Sequence, residues 1–250
     1  MYLTRQRLGP VDLAFTDRFG GVSAFPYDEL DLALVGGGDP AAREENLRLL
    51  RADFAPDDEL ADLVQVHGRE VAVVDDSTPL GPGYVRPEAD AIVTARAGVT
   101  LMVRMADCVP VLLADPDAGV VGAAHAGREG VVAGVVPAAV EAMRGLGARR
   151  LHAWIGPHVC GHCYEVPFAM RAEVGALLPD TVQTTWSGTP SLDLGAGVRA
   201  QLVAAGVDDV VTVPGCTRER TDLFSHRRDG ADAGRLGALI RLDPTSGSAP

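Results

Sequence analysis

Lysine is absent from the 250 residues; all 22 basic side chains are arginine. Without the lysine amine there is no P-loop grip on a nucleotide phosphate and no Schiff-base chemistry. A bound phosphate would have to be held by arginine forks, backbone N–H groups or a metal ion. Cysteine is scarce: four residues are too few for a disulfide framework. The expected setting is a reducing cytoplasm, where each thiol is a candidate nucleophile or ligand. Net positive charge is missing too. The formal charge of −12 lacks the basic excess of a nucleic-acid binder. No apolar run approaches the about 18 residues of a membrane span, and the N-terminus MYLTRQRLGP has no signal-peptide core. Neither a nucleic-acid nor a membrane partner is expected, and nothing in the chain speaks to oligomeric state. There is no internal repeat, no long linker, and no G-x-G-x-x-G after an apparent strand.

What is present is a globular chain, 47% hydrophobic, of a length that suits one sizeable core. A single catalytic domain is expected over 1–243, followed by a flexible polar tail, 244–250 (PTSGSAP). Asp39-Pro40 followed by Leu47, Leu50 and Phe54 predicts a capped helix over 40–54. Short apolar, β-branched runs at 71–75, 91–95, 100–105, 109–114, 119–125, 151–155 and 210–213 predict buried strands, as does the alternating run 235–242. Helices are expected at 130–146, 168–178 and 198–205. Strand runs without strict β-α alternation indicate an α+β domain rather than a doubly wound sheet.

Three segments carry candidate chemistry: Gln65-Val66-His67-Gly68, Ala106-Asp107-Cys108-Val109-Pro110 and Ala124-His125-Ala126-Gly127. Each sets a potential ligand at or beside a predicted strand end, where distant segments can converge. The intervals are unlike the short C-x-x-C steps of structural zinc sites. Two imidazoles and one thiolate leave a tetrahedral ion with one open position, the pattern of catalytic zinc; the thiolate also admits copper. Asp107 is a candidate acceptor for a ligand's ring N–H, or a turn hydrogen-bond residue. A second reading makes Cys108 a thiolate nucleophile with His125 as its base. Spacing does not separate the two.

Longer strings around these residues resemble the YfiH/YlmD family, known as multicopper polyphenol oxidoreductase laccase-domain proteins and as purine nucleoside phosphorylases. The matching strings are FTDRFGGVSAFPYDELDLA (15–33), QVHG (65–68), EADAIVTARAGVTLMVRMADCVPVLLAD (88–115), AAHAG (123–127), IGPHVCGHCYEV (155–166) and CTRERTDLFSHRRDG (216–230). Six motifs in order span nearly the whole chain. The resemblance implies a layered α/β/β/α domain with mixed β-sheets, and a zinc site on His67, Cys108 and His125, which would also be the catalytic residues. It implies phosphorolysis of adenosine, inosine, guanosine and methylthioadenosine, with deamination of adenosine. The substrates would be a purine nucleoside and phosphate. Alternatives are a copper-dependent polyphenol oxidase and a hydrolase editing peptidoglycan precursors.

The expected substrate-binding residues are Arg18, Ser23, Asn46, Gln65 and Arg228. Gly20 and Gly21 would let backbone N–H groups meet an anion. Arg227 and Arg228 are expected to divide, one structural with Asp229 and one in the site. Where the family reads Trp-Arg-Gly after its second histidine ligand, this chain has Arg128-Glu129-Gly130. A carboxylate there leaves both phosphorolysis and hydrolysis open. Cys160-Gly-His-Cys163 is expected to be a structural loop lining the pocket, since no second C-x-x-C is present to complete a knuckle. His158 and His162 are read as polar loop residues and Cys216 as packing.

Overall fold

The computed structural model describes residues 1–207 and 209–244. All but the first residue of the expected tail lies outside that range. In chain order the strands and helices are β1 (Tyr2–Leu8), β2 (Val11–Thr16), α1 (Pro40–Phe54), β3 (Glu59–Asp62), β4 (Val71–Val74), β5 (Ala91–Thr94), β6 (Val99–Met105), β7 (Val109–Asp115), β8 (Val120–Ala126), α2 (Arg128–Ala133), α3 (Val135–Gly145), β9 (His152–Ile155), α4 (Phe168–Leu177), β10 (Val182–Thr184), β11 (Pro190–Leu192), α5 (Leu194–Ala204), β12 (Asp209–Thr212), α6 (His226–Asp229) and β13 (Leu236–Leu242). No helix among the described residues is long and apolar enough to cross a membrane.

Two sheets face one another. One has the strand order β1-β2-β13-β6-β3, the other β12-β9-β7-β8-β5-β4. Both are mixed: β3–β6, β4–β5 and β9–β12 pair in parallel and the other pairs run antiparallel. The side-chain alternation of a strand sorts residues between layers. On β6, Val99, Leu101, Val103 and Met105 enter the inter-sheet core, while Met102 points to the opposite face. On β7, Leu112 and Ala114 face the same core, and Val109, Val111 and Leu113 face outward. α1 covers one outer face through Leu50 and Phe54. α3 and α5 cover the other through Val136, Val140, Met143, Val198 and Leu202. The α/β/β/α layering follows from these three apolar clusters, because every strand buried on both faces needs a partner layer on each.

Local signals set α1 within its expected bounds. Asp39 caps it by accepting the Ala41 N–H at 3.0 Å, and Pro40 occupies the first turn. The helix expected over 130–146 is two helices. Gly134 (φ 85°) ends α2 in the left-handed region and starts α3, a conformation that costs a side chain about 1–2 kcal/mol. The hairpin β1–β2 was not among the expected strands. Polar residues on β1 mask it, although Gly9-Pro10 marks its turn.

For the site, one connection matters most. β6 belongs to the first sheet and β7 to the second, so the segment 106–108 crosses between sheets and carries Cys108 across their boundary.

Candidate metal centre

His67, Cys108 and His125 converge, with one ligand atom from each lying within 4.8 Å of the others. His67 Nε2 is 3.8 Å from Cys108 Sγ. The two imidazoles meet edge to face, their centroids 4.9 Å apart. His125 is buried on β8 and registers against Pro110 of β7, two residues beyond Cys108. His67 lies on an exposed turn.

Asp90 organises this group, and sequence reasoning passed over it. It is fully buried immediately before β5. Its Oδ1 accepts from His125 Nδ1 at 2.8 Å and from the His67 N–H at 3.0 Å; its Oδ2 accepts from the Val66 N–H at 3.1 Å and the Gly68 N–H at 2.6 Å. Three successive N–H groups on one carboxylate form a nest, which requires a left-handed residue. His67 supplies it at φ 61°. The same carboxylate therefore orients both histidines, and engaging Nδ1 of His125 leaves its Nε2 as the free nitrogen. A carboxylate just ahead of an apolar strand was the available signal, but turn residues give the same one.

Asp107 does not take that part. Its carboxylate accepts from Thr217 Oγ1 (2.6 Å), Ser225 Oγ (2.7 Å) and the Arg227 N–H (2.5 Å). Asp107, in the left-handed region at φ 90°, thereby ties the sheet crossing to the 217–227 segment and holds the neighbouring Cys108. Gly127 completes the fit. A Cβ there would lie 2.5 Å from His67 Cδ2 and 3.1 Å from Cys108 Sγ.

The electrostatics make the group an ion-pair network. Burial opposes ionisation of Cys108, but the facing His125 and His67 outweigh it and bring the thiol down to about 6. Burial likewise opposes charge on His125, which the Cys108 thiolate and Asp90 push up to about 9. The Cys108 contact also raises His67. A thiolate at neutral pH is what both a metal site and a thiol nucleophile need.

A cavity of about 650 Å³ opens on the three residues and is lined also by Gln65, Arg86, Arg104, His226 and Arg235. That volume lies within the roughly 300–1,000 Å³ usual for small-molecule sites. Gln65 is on its wall as expected, with both amide atoms tied to the Arg104 backbone at 2.7 and 2.8 Å. Arg104 is buried and shares Asp62 with Arg86, at 2.7 and 2.6 Å.

The other expected contact residues, Arg18, Ser23, Asn46, Arg228, Gly20 and Gly21, do not line this cavity. Arg18 stacks on Phe224, 4.5 Å from the ring centroid, and bonds Asp28 and the Pro26 carbonyl. Ser23 and Asn46 are buried and bond each other at 2.9 Å, with Asn46 also holding the Glu29 and Asp31 carbonyls at 3.0 Å. Gly20 donates its N–H to the Glu29 carboxylate at 2.8 Å, and a Cβ on Gly21 would meet the Glu29 carbonyl at 2.4 Å. These residues shape the 15–33 loop. Arg228 clamps the carbonyls of Thr217, Arg220 and Leu223 (2.9, 2.8 and 2.7 Å) and pairs with Asp229. Arg227 is the freer of the two arginines. It stacks on Tyr164 at 4.8 Å. Burial raises the Tyr164 hydroxyl, against the pull of the nearby Arg128 and Arg227. Arg128 pairs with Glu129 at 2.9 Å.

A family model described as multi-copper polyphenol oxidoreductase laccase matches residues 12–243. A protein named purine nucleoside phosphorylase from Streptomyces griseus is 55% identical over 241 residues, covering 94% of this chain and 96% of that one. A protein named adenosine deaminase from an unidentified prokaryote is 38% identical, covering 79% and 81%. The crystal structure of YlmD from Geobacillus stearothermophilus superposes with a TM-score of 0.85 at 30% identity, over 97% of this chain and 98% of that one. The sheets, the sandwich and the ordered motifs thus agree with the sequence relationship, and the chain belongs to the multicopper polyphenol oxidoreductase laccase family of YfiH and YlmD proteins.

Proposed function

We propose that the chain is a zinc-dependent purine nucleoside phosphorylase that also deaminates adenosine, acting on adenosine, inosine, guanosine and methylthioadenosine. The convergence of His67, Cys108 and His125 on one wall of the 650 Å³ cavity carries the reading; the relatives' names supply the substrate class. The donor set fits zinc. Zinc–ligand lengths of about 2.3 Å to sulfur and about 2.0 Å to nitrogen set a tetrahedral S···N edge of roughly 3.6 Å, against 3.8 Å between Cys108 and His67. The bound ion would supply Lewis acidity at a position the three side chains leave open.

The protein's own groups do the rest. Asp90 keeps the Nδ1 proton of His125 and holds His67 in its turn. The rigid wall made by Gln65 and Arg104 bounds the nucleoside, and His226, Arg86 and Arg235 line it. Arg227, stacked on Tyr164, and Arg128, which interacts with the same tyrosine and pairs with Glu129, are the candidate arginines for phosphate. In phosphorolysis a phosphate oxygen bonds to C1′ while the C1′–N bond breaks, its electron pair leaving with the purine. Arginine forks hold the nucleophile close and in line.

Zinc-loaded protein incubated with adenosine is expected to give adenine and ribose 1-phosphate only when phosphate is present, and inosine with or without it. Absence of both adenine and inosine from fully loaded protein would refute the assignment. The family description supports copper-dependent phenol oxidation as a second reading. A multicopper cluster needs more histidines than this site brings together, and stoichiometric copper in protein made without added copper would favour it.

A further inference from the structure

A second ligand set lies outside the cavity. Cys160, Cys163, Cys216 and Glu219 each offer a ligand atom, and all four atoms fall within 4.8 Å of one another. Two peptide turns of the same design present them. In the first, the Cys160 carbonyl accepts the N–H groups of Cys163 (2.9 Å) and Tyr164 (3.0 Å); in the second, the Cys216 carbonyl accepts those of Glu219 (3.2 Å) and Arg220 (3.0 Å). Each turn therefore places one ligand at its first position and another three residues on. The turns face each other. The Cys160 N–H donates to Cys216 Sγ at 3.4 Å, and Cys163 Sγ sits 3.3 Å from Glu219 Oε1. A β-bridge between His158 and Cys216 locks them together.

We propose that these four side chains form a second, structural zinc site. Facing turns with ligands at i and i+3 are the architecture of a zinc knuckle pair. The partner of C-x-x-C is here C-x-x-E, which a search for cysteine pairs does not find. Three sulfurs select zinc or copper(I) over magnesium or calcium, and the carboxylate favours zinc. Four protein ligands close the coordination shell, so the site holds structure and does no chemistry. Binding displaces the thiol protons to solvent. Three thiolates and a carboxylate around Zn²⁺ leave a net negative charge, which Arg218 and Arg227 in the hollow beside Cys163 would offset in part, with Glu165 in the same hollow opposing them.

The site also reaches the cavity. Thr217, between Cys216 and Glu219, bonds Asp107, and Val159 donates its N–H to the Asp107 carbonyl at 3.0 Å. The ion would thus brace the turn that presents Cys108, and Tyr164 beside it.

The test is zinc content by elemental analysis of the full chain, purified with a phosphine reductant and loaded with zinc. The parent is expected to hold about two ions per chain. The His67→Ala, Cys108→Ala, His125→Ala triple variant is expected to keep about one, and adding Cys160→Ser and Cys216→Ser to it should remove that one. Should the cysteine variants not fold, alkylation of the parent followed by mass spectrometry decides. Zinc should protect Cys160, Cys163 and Cys216, and a chelator should expose them. A triple variant with native circular dichroism and no zinc would overturn the proposal. So would equal alkylation of the three cysteines with and without zinc, or a Cys160–Cys163 disulfide that persists under reductant with zinc present.

Discussion

Asp90→Asn tests the site at its most connected point. The carboxylate receives four donors, two on each oxygen: His125 Nδ1 and the His67 N–H on Oδ1, the Val66 and Gly68 N–H groups on Oδ2. An amide has one oxygen. With that oxygen toward His125, the NH2 group faces the Val66 and Gly68 N–H groups, and the turn carrying His67 must move. Flipped, it faces the His125 and His67 donors instead. Neither orientation holds both imidazoles. Two buried donors left unmade cost about 1–3 kcal/mol each. Loss of an outer partner to a metal-bound histidine typically costs roughly 10–100-fold in metal affinity. Zinc affinity measured by chelator competition at neutral pH should fall by at least about tenfold, and global stability by about 2–4 kcal/mol. Asp115→Asn is the matched control. Asp115 is also a buried carboxylate that accepts backbone N–H groups, but it lies at the β7–β8 turn, away from the cavity. It should lose stability and keep zinc affinity. An Asp90→Asn protein that binds zinc within twofold of the parent would refute the view that one carboxylate orients both histidines.

Gly127→Ala places a methyl 2.5 Å from His67 Cδ2 without straining the backbone, since φ is −73°. Zinc binding should weaken by at least about tenfold while the unfolding midpoint shifts by only a few degrees; unchanged binding in the competition assay would show that His67 moves aside freely. The Asp115 pair carries a pH signature. Burial opposes its ionisation, but the N–H groups of Arg149, Arg150 and Ala118 outweigh it and hold the carboxyl below the usual range. A depressed folded-state value stabilises above the unfolded value of about 3.9 and is lost as pH falls through the folded one. The stability gap between parent and Asp115→Asn should be about 2 kcal/mol in urea melts at pH 7 and shrink steadily below about pH 4; a gap independent of pH would refute the assignment.

The chemistry was more legible in the chain than its support was. Helix α1 could be read to its ends because its signals are local: a capping aspartate, a proline and apolar residues three and four apart. The interior strands could be read because a strand buried on both faces is a continuous apolar run. β1 escaped for the opposite reason, its polar residues facing water at a sheet edge. His67, Cys108 and His125 stood out because few residue types bind metals. Arg18 and Ser23 looked like ligand residues because polar side chains in a glycine-rich loop read the same whether they face a substrate or the loop's own groups, and Asn46 because its place on α1 does not show that its amide meets that loop. Arg227 and Arg228 are chemically identical neighbours, and only the fold gives one to the backbone and leaves the other beside Tyr164.

The sequence by itself picked out His67, Cys108 and His125 as candidates, most of the interior strands and the family. Those depend on residue type and short-range pattern. Tertiary structure alone decided that Asp90 lies under both histidines, that the 106–108 segment crosses between sheets, and that Cys160-x-x-Cys163 faces Cys216-x-x-Glu219. These are contacts between segments tens of residues apart. Hydrogen bonds and coordination act over a few ångströms in space and leave no periodic trace along the chain.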